Sequence, residues 1–368
     1  MMIRLPAGPE SRLILSAAFD PPVMEDLTGS GTSFFTVRDG RLVLYPMMES
    51  FELSDKDQQI LLQASNYDVF EFFENGLLVR RIDVCSGDNI LFITGHCNSN
   101  CIMCPSPEYS RRHDEWPNID RQLELASHMP TYLPHITITG GEPFLAGGRL
   151  FDLLNFLKSK FDQTEFLLLT NGRIFCLDRY ADLFEETAPA GILVGIPVHG
   201  SSAEIHDAIT QTPGSFDQTM AGIDNLLRRN IRVEIRIVVS ALNHDDLGAL
   251  GQMIAGRFPA ISHVSIIAME MTGSARANKD KVWISYQSSA EAVRKLTDHL
   301  IAHQIDVRLY NFPLCTVHPS HWMLARKSIS EHKVRYGQNC GRCKIRHQCG
   351  GLFAGTLALE EEELEVIE

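Results

Sequence analysis

The 368 residues are 44% hydrophobic and 21% charged, which suits a globular chain too long for one small core and so predicts one large domain with smaller appendages. The formal charge of −13 excludes a nucleic-acid partner, because such binding rests on lysine and arginine displacing counterions from phosphates. No stretch is apolar enough to span a bilayer, and the N-terminal MMIRLPAGPESRLILS lacks a signal-peptide core, which predicts no membrane and a cytoplasmic protein.

Residues 1–87 carry short β-type runs, among them SFFTVRDGRLVLYP with an Asp39-Gly40 turn, ahead of a helical stretch from Lys56 to Ala64. They predict a small α+β domain. From Asn89 onward, apolar runs alternate with amphipathic segments. The runs are 89–94, 135–139, 165–170, 192–198, 233–239 and 263–269. Helical spacing fills the gaps, as in Arg149 to Phe161 and Phe216 to Arg229. Continuous apolar strands joined by helices are parallel and buried on both faces, so the pattern predicts a partial (β/α)6 TIM-like barrel over 88–285. A helix from Ser288 to His303 and a strand-like DVRLYN then lead into a loop-rich C-terminal domain over 286–356, with an acidic tail over 357–368.

In parallel barrels the chemistry sits in loops after the strands' carboxyl ends. Here those loops carry Cys97, Cys101 and Cys104 after the first strand, Gly140-Gly141-Glu142-Pro143 after the second, Thr170-Asn171-Gly172 after the third and His199-Gly200-Ser201-Ser202 after the fourth. Arg236 lies within the fifth, and Glu270 follows the sixth. His199 reads as structural.

Nine cysteines in tight clusters point to metal binding in a reducing compartment rather than to disulfides. C-x3-C-x2-C at Cys97, Cys101 and Cys104 suits a cubane iron–sulfur cluster with one iron left open. Tetrahedral zinc completed by His96 or His113 is the alternative. Cys315, Cys340, Cys343 and Cys349 form a closed set of four thiolates, suited to zinc or to a fully coordinated cluster. Cys85 and Cys176 remain. Cys176 reads as a small buried residue, with donation of a hydrogen atom to a substrate radical as the sharper alternative.

C-x3-C-x2-C after the first strand with Gly-Gly-Glu-Pro after the second resembles the radical S-adenosylmethionine (SAM) superfamily. That resemblance implies a [4Fe–4S] cluster on Cys97, Cys101 and Cys104 with SAM on its open iron, cleaved reductively to a 5′-deoxyadenosyl radical. It implies SAM contacts from Gly140, Gly141 and Glu142 to the methionyl amine. Asn171, Ser201 and Arg236 then meet the ribose and carboxylate, and Met103 stands where the family has an aromatic residue near adenine. C-x2-C-x5-C followed by Gly350-Gly351 resembles the SPASM or twitch extensions of peptide-modifying members, implying an auxiliary [4Fe–4S] cluster on Cys315, Cys340, Cys343 and Cys349.

The segments SAEIHDAIT (202–210), GSFDQTMAGIDNLLRRNIRVEIRIVV (214–239), MEMTGSARANKDKVWIS (269–285) and the tail from Leu309 to Phe353 resemble the His-Xaa-Ser system radical SAM maturases of the C type. The implied substrate is a ribosomally made peptide or small precursor protein with His-Xaa-Ser repeats, laid into the barrel's lateral opening and modified with a sister maturase, a crosslink being the expected product. A flavodoxin or ferredoxin is the implied electron donor. The rival expectations are a sulfatase-type or small-molecule radical SAM enzyme, and a zinc-binding module without catalysis.

Overall fold

The computed structural model describes residues 1–105 and 119–368. His113 therefore lies outside the described residues. The N-terminal part forms a seven-stranded sheet from Met2–Arg4, Leu13–Ala17, Phe34–Arg38, Arg41–Tyr45, Ser50–Glu52, Val69–Phe72 and Leu77–Ile82 (β1 to β7), in the order β1-β7-β6-β2-β3-β4-β5. Helices Pro21–Gly29 (α1) and Asp55–Leu61 (α2) interrupt it. The β3–β4 hairpin turns at Asp39 and Gly40, both with positive φ as a two-residue primed turn requires. Alternation then sends Leu42 and Leu44 inward against Phe35, Phe70 and Phe72.

The second sheet holds eight parallel strands: Asn89–Phe92, His135–Thr139, Glu165–Leu169, Leu193–Pro197, Arg232–Val239, His263–Ala268, Val307–Tyr310 and Ala325–Arg326 (β8 to β15). They lie in sequence order across the sheet, leaving β8 and β15 as its edges. Residues from both sides of this sheet, Asp88 and His135 near one edge and Arg308 and Tyr310 near the other, line one cavity, so the sheet curls into a partial barrel. Its outer layer is Ile119–His128 (α3), Arg149–Lys160 (α4), Asp178–Thr187 (α5), Ala203–Thr210 (α6), Ser215–Arg228 (α7), Leu247–Arg257 (α8) and Tyr286–Ala302 (α9). Leu150, Leu153, Leu154 and Leu157 recur at helical spacing and are fully buried against the strands, which is why this segment settles as α4.

The barrel expectation needs two corrections. Sequence reading stopped at six strands and residue 285, but β14 and β15 extend the same sheet to Arg326. The β14 segment was expected as the strand-like DVRLYN but outside the barrel, and β15, two residues long, is too short to announce itself as a periodic run. The acidic end is not a free tail either. Ala354–Glu360 forms a helix (α10), Glu360 is fully buried with its carboxylate accepting from Tyr286 N at 3.0 Å, and Leu364 is buried.

One carboxylate ties the N-terminal sheet to the barrel. Glu71 on β6 is fully buried and accepts from Arg12 at 3.3 Å, Arg81 at 2.7 Å and Arg121 of α3 at 2.5 Å. Burial disfavours its charge, but Arg121 and Arg81 outweigh burial and hold its pKa below the ordinary value of 4.5. Its contribution is then complete above that unfolded-state value and fades as pH falls through the lower folded one. The three arginines are each about a third exposed, so solvent screens part of the attraction. Glu71→Gln is expected to cost about 2 kcal/mol at pH 7 and to flatten the loss of stability between pH 5 and 3, read from urea midpoints across that range.

Candidate functional site

The cysteine loop follows β8 and is held by backbone on two sides. Gly141 N donates to Thr94 O at 2.7 Å and Glu142 N to His96 O at 2.8 Å, joining the loop after β9 to the loop after β8. A Cβ on Gly140 would stand 2.4 Å from Thr94 O, and one on Gly141 2.3 Å from His96 O. The glycines therefore serve the approach of one loop to the other, and both also line the cavity described next. On the far side, Asn100 N and Ile102 N donate to Thr210 O and Ile209 O at the end of α6. Ser274 N donates to Cys104 O at 2.9 Å. Arg173, which sequence reading passed over, donates to Asn98 O at 2.8 Å and Ser99 Oγ at 3.1 Å; nothing in its local sequence marks that role.

Cys97, Cys101 and Cys104 face a common cavity of about 360 Å3 at the carboxyl ends of the strands, within the range of small-molecule sites. Ser99 N donates to Cys97 Sγ at 3.4 Å. Met103, Gly140, Gly141, Asn171 and Arg236 share the lining. Met103 is nearly buried and packs with Met269, Met271 and Ile209. Asn171 Nδ2 donates to Asn98 Oδ1 at 2.6 Å, and Arg236 Nη1 donates to Glu234 Oε1 at 2.7 Å.

Two predicted contacts fall elsewhere. Glu142 is outside the lining, and its carboxylate accepts from Thr170 Oγ1 at 2.8 Å, Asn171 N at 2.8 Å and Phe144 N at 3.1 Å. Full burial pushes its pKa up, against the donors at Asn171, Phe144 and Thr170. It braces the end of β10 to the end of β9. Ser201 also lies outside, its N and Oγ each donating to Asp246 at 2.6 Å.

Two residues not assigned from sequence do line the cavity. His199 is 4% exposed, stacks on His206 with centroids 5.8 Å apart, and has its Nδ1 unpartnered among the described residues. Burial, then His206, pushes its pKa down to about 3, so it is neutral at pH 7. Glu270 follows β13, and burial raises its carboxyl against the pull of Lys333. Their position after strand ends was the available signal.

The second cysteine group gathers as well. Cys315, Cys340, Cys343 and Cys349 line a narrow pocket of about 20 Å3 with Tyr336 and Glu365. Leu314 N and Gly351 N each donate to Cys349 Sγ at 3.4 Å. Burial pushes the Cys315 thiol up to about 11, so a bare thiol there keeps its proton and a bound cation would reverse that. Cys176 is half-buried and lines neither pocket, and Cys85 is exposed near Ser65. Among the described residues no three His, Cys, Asp or Glu converge tightly enough to hold a single metal ion. The donor chemistry of the two sets, three thiols beside the larger cavity and four beside the narrow one, is that of iron–sulfur or zinc ligation.

Residues 91–254, from β8 to α8, match the family model of the radical SAM superfamily. The chain carries a radical SAM domain. This family uses a [4Fe–4S] cluster and SAM. The chain is similar to the AdoMet-dependent heme synthase of Methanosarcina barkeri, 26% identical over 42% of this chain and 43% of that protein. A putative glycyl-radical enzyme activating enzyme of Methanocaldococcus jannaschii is 34% identical over 22% of this chain and 23% of its own. The chain spans less than half the length of these curated relatives. Among solved structures, Streptococcus suis SuiB bound to S-adenosylmethionine has a TM-score of 0.51 at 13% identity, covering 64% of this chain and 52% of SuiB. SuiB bound to its precursor peptide SuiA gives 0.50 at 11%, covering 62% and 49%. These likenesses carry the fold of the radical SAM domain.

Because the two loops meet through backbone that cannot give way, Gly141→Ala is expected to cost about 2 kcal/mol or more. Gly148→Ala, whose added methyl meets nothing within 4 Å, is expected to stay within about 0.5 kcal/mol. Denaturant midpoints of the two variants make the comparison.

Proposed function

We propose that this protein is a radical SAM maturase that modifies a ribosomally made peptide or small precursor protein. One observation carries the reading: Cys97, Cys101 and Cys104 line a single cavity at the carboxyl mouth of the barrel, together with Met103, Asn171 and Arg236. In this reading the three thiolates hold a [4Fe–4S] cluster with one open iron. Bound there, cluster and SAM supply a radical able to take a hydrogen atom from substrate, and the protein's part is position and exclusion of water.

The lining residues divide that part between them. Met103 offers adenine a soft apolar face. Arg236, oriented by Glu234, presents a guanidinium to a carboxylate. Glu142 fixes Asn171 through its backbone, while Gly140 and Gly141 hold the cysteine loop in reach. Glu270, with its raised pKa, can keep or accept a proton at its carboxyl on the cavity wall. Neutral His199 adds no charge beside the sulfurs.

Four thiols lining one pocket support an auxiliary [4Fe–4S] cluster of the twitch type. Its closed ligand set suits electron transfer or substrate anchoring. The His-Xaa-Ser resemblance supports a repeat-bearing precursor, a sister maturase, a crosslinked product and a flavodoxin or ferredoxin donor. SuiB, the similar fold, is bound to a precursor peptide. No helix among the described residues is long and apolar enough to cross a membrane, which is compatible with a cytoplasmic site of action.

A small-molecule substrate is the second reading, favoured by the names of the heme synthase relatives. Anaerobic incubation with SAM, reductant and a His-Xaa-Ser precursor separates the two: the precursor should lose about two mass units per event, and an unchanged precursor with SAM turnover points to the small molecule. Anaerobically reconstituted protein should bind about eight iron atoms. Replacing Cys97, Cys101 and Cys104 with Ala should remove about half the iron and all SAM cleavage, and Cys343→Ala should remove a similar share of iron. Zinc in place of iron by elemental analysis would overturn the proposal.

A further inference from the structure

The barrel has a second cavity at its opposite end. Barrels of parallel strands are ordinarily packed solid with branched apolar side chains, yet here about 530 Å3 opens among the first residues of the strands: His135 of β9, Glu165 of β10, Arg232 of β12 and His263 of β13. Arg236, Ile267 and Asn311 line both this cavity and the cysteine cavity. The two cavities therefore adjoin at these three side chains, as two halves of a passage that share a wall.

Strand register shows how its wall is built. Glu234 pairs with His263 on one level, and Arg236, Ser265 and Arg308 sit on the next level of three neighbouring strands. Parallel register partners point to the same face, so these polar groups share the inner wall. Glu234, 2% exposed, is matched by Arg236 at 2.7 Å. His263 is 2% exposed and its Nε2, 3.6 Å from Glu234 Oε1, is beyond hydrogen-bond reach and unpartnered. Arg308 lines the same wall, half-buried, with no hydrogen bond or ion pair among the described residues. A guanidinium in such a wall offers its donors to an anion.

Arg236 is thus taken up by Glu234; Asp88, Glu165 and Arg232 stand at the mouth, and Arg308 is the guanidinium of the inner wall without an ion pair among the described residues. A guanidinium takes a carboxylate through two parallel hydrogen bonds. Ile90 and Phe92 lie on the edge strand β8, in register with Thr137 and Thr139, which line the passage, and each is 48% exposed. An apolar strip beside a strand edge that is unpaired among the described residues suits an extended peptide better than a small acid.

We propose that the passage is a substrate subsite, entered from the mouth opposite the cysteines, in which Arg308 and His263 receive an acidic side chain or terminal carboxylate of the peptide. This rests on the peptide reading above and names what that peptide must carry. An acidic residue placed there would fix which neighbouring residue of the substrate stands at the carboxyl mouth.

The test uses anaerobically reconstituted protein with SAM and two blocked pentapeptides, Ala-Val-Asp-Val-Ala and its Asn counterpart, with affinities measured by ligand-observed NMR. The wild type should prefer the Asp peptide by about tenfold. Arg308→Met should bring the two within about twofold, and Arg308→Lys should keep part of the preference. Equal or undetectable binding of both peptides to wild type overturns the proposal, as does a preference that survives Arg308→Met. The wild-type comparison needs no variant, so it stands even if Arg308→Met folds poorly. SAM cleavage by the wild type is measured in parallel. Its absence removes the enzymatic reading and leaves the peptide comparison valid, whereas its presence with equal affinities removes only the carboxylate subsite.

Discussion

The cysteine site depends on a backbone contact between two loops that no side chain could replace. Gly141 N and Glu142 N lie on the carbonyls of Thr94 and His96, close enough that a single methyl group would force them apart. A loop rich in cysteine and asparagine has little apolar surface with which to fix itself. Its shape is instead imposed by neighbours: the turn after β9, the end of α6 and the short helix Gly273–Ala277, each bonding its main chain. Arg173 and Asn278 add side-chain donors to carbonyls of Asn98 and Ile102. Order is thus carried from the packed barrel into a segment that could not hold it alone.

Most of the barrel was legible because its strands are apolar on both faces and its helices keep one buried stripe. Those features repeat over enough residues to be read without knowing the fold. The β14 segment read as a strand but not as part of the barrel, because four residues carry no mark of which sheet they join, and β15 was missed because two residues show no period. The acidic end was misread because composition suggests solvent, while Glu360 is fully buried by contacts from far away in the chain, at Tyr286. Local sequence cannot reveal a partner that distant.

The grouping of the cysteines was legible, the supports of their loops less so. Sulfur spacing and glycine pairs announce themselves, so the two sets of cysteines that each share a pocket, and the Gly140-Gly141 turn, stand out in the sequence. Glu142 and Ser201 were expected at the cavity because of where they fall along the chain, but their donors and acceptors are taken by Thr170, Asn171 and Asp246. Which way a polar side chain turns is decided by the nearest unmet hydrogen bond, and that is a property of the assembled loops. Glu234 and His263 illustrate the same point: as parts of apolar runs they read as ordinary strand residues, yet they make the barrel's interior polar.

The wall of the four-thiol pocket has a further consequence. Glu365 and Ile367 form part of it, and Lys344 N donates to Ile367 O at 3.0 Å, so this segment closes one side of the pocket that the sulfurs share. Loosening it would bare Cys315 and Cys349 to oxidation, which makes the order of an acidic stretch a condition for keeping the thiols reduced.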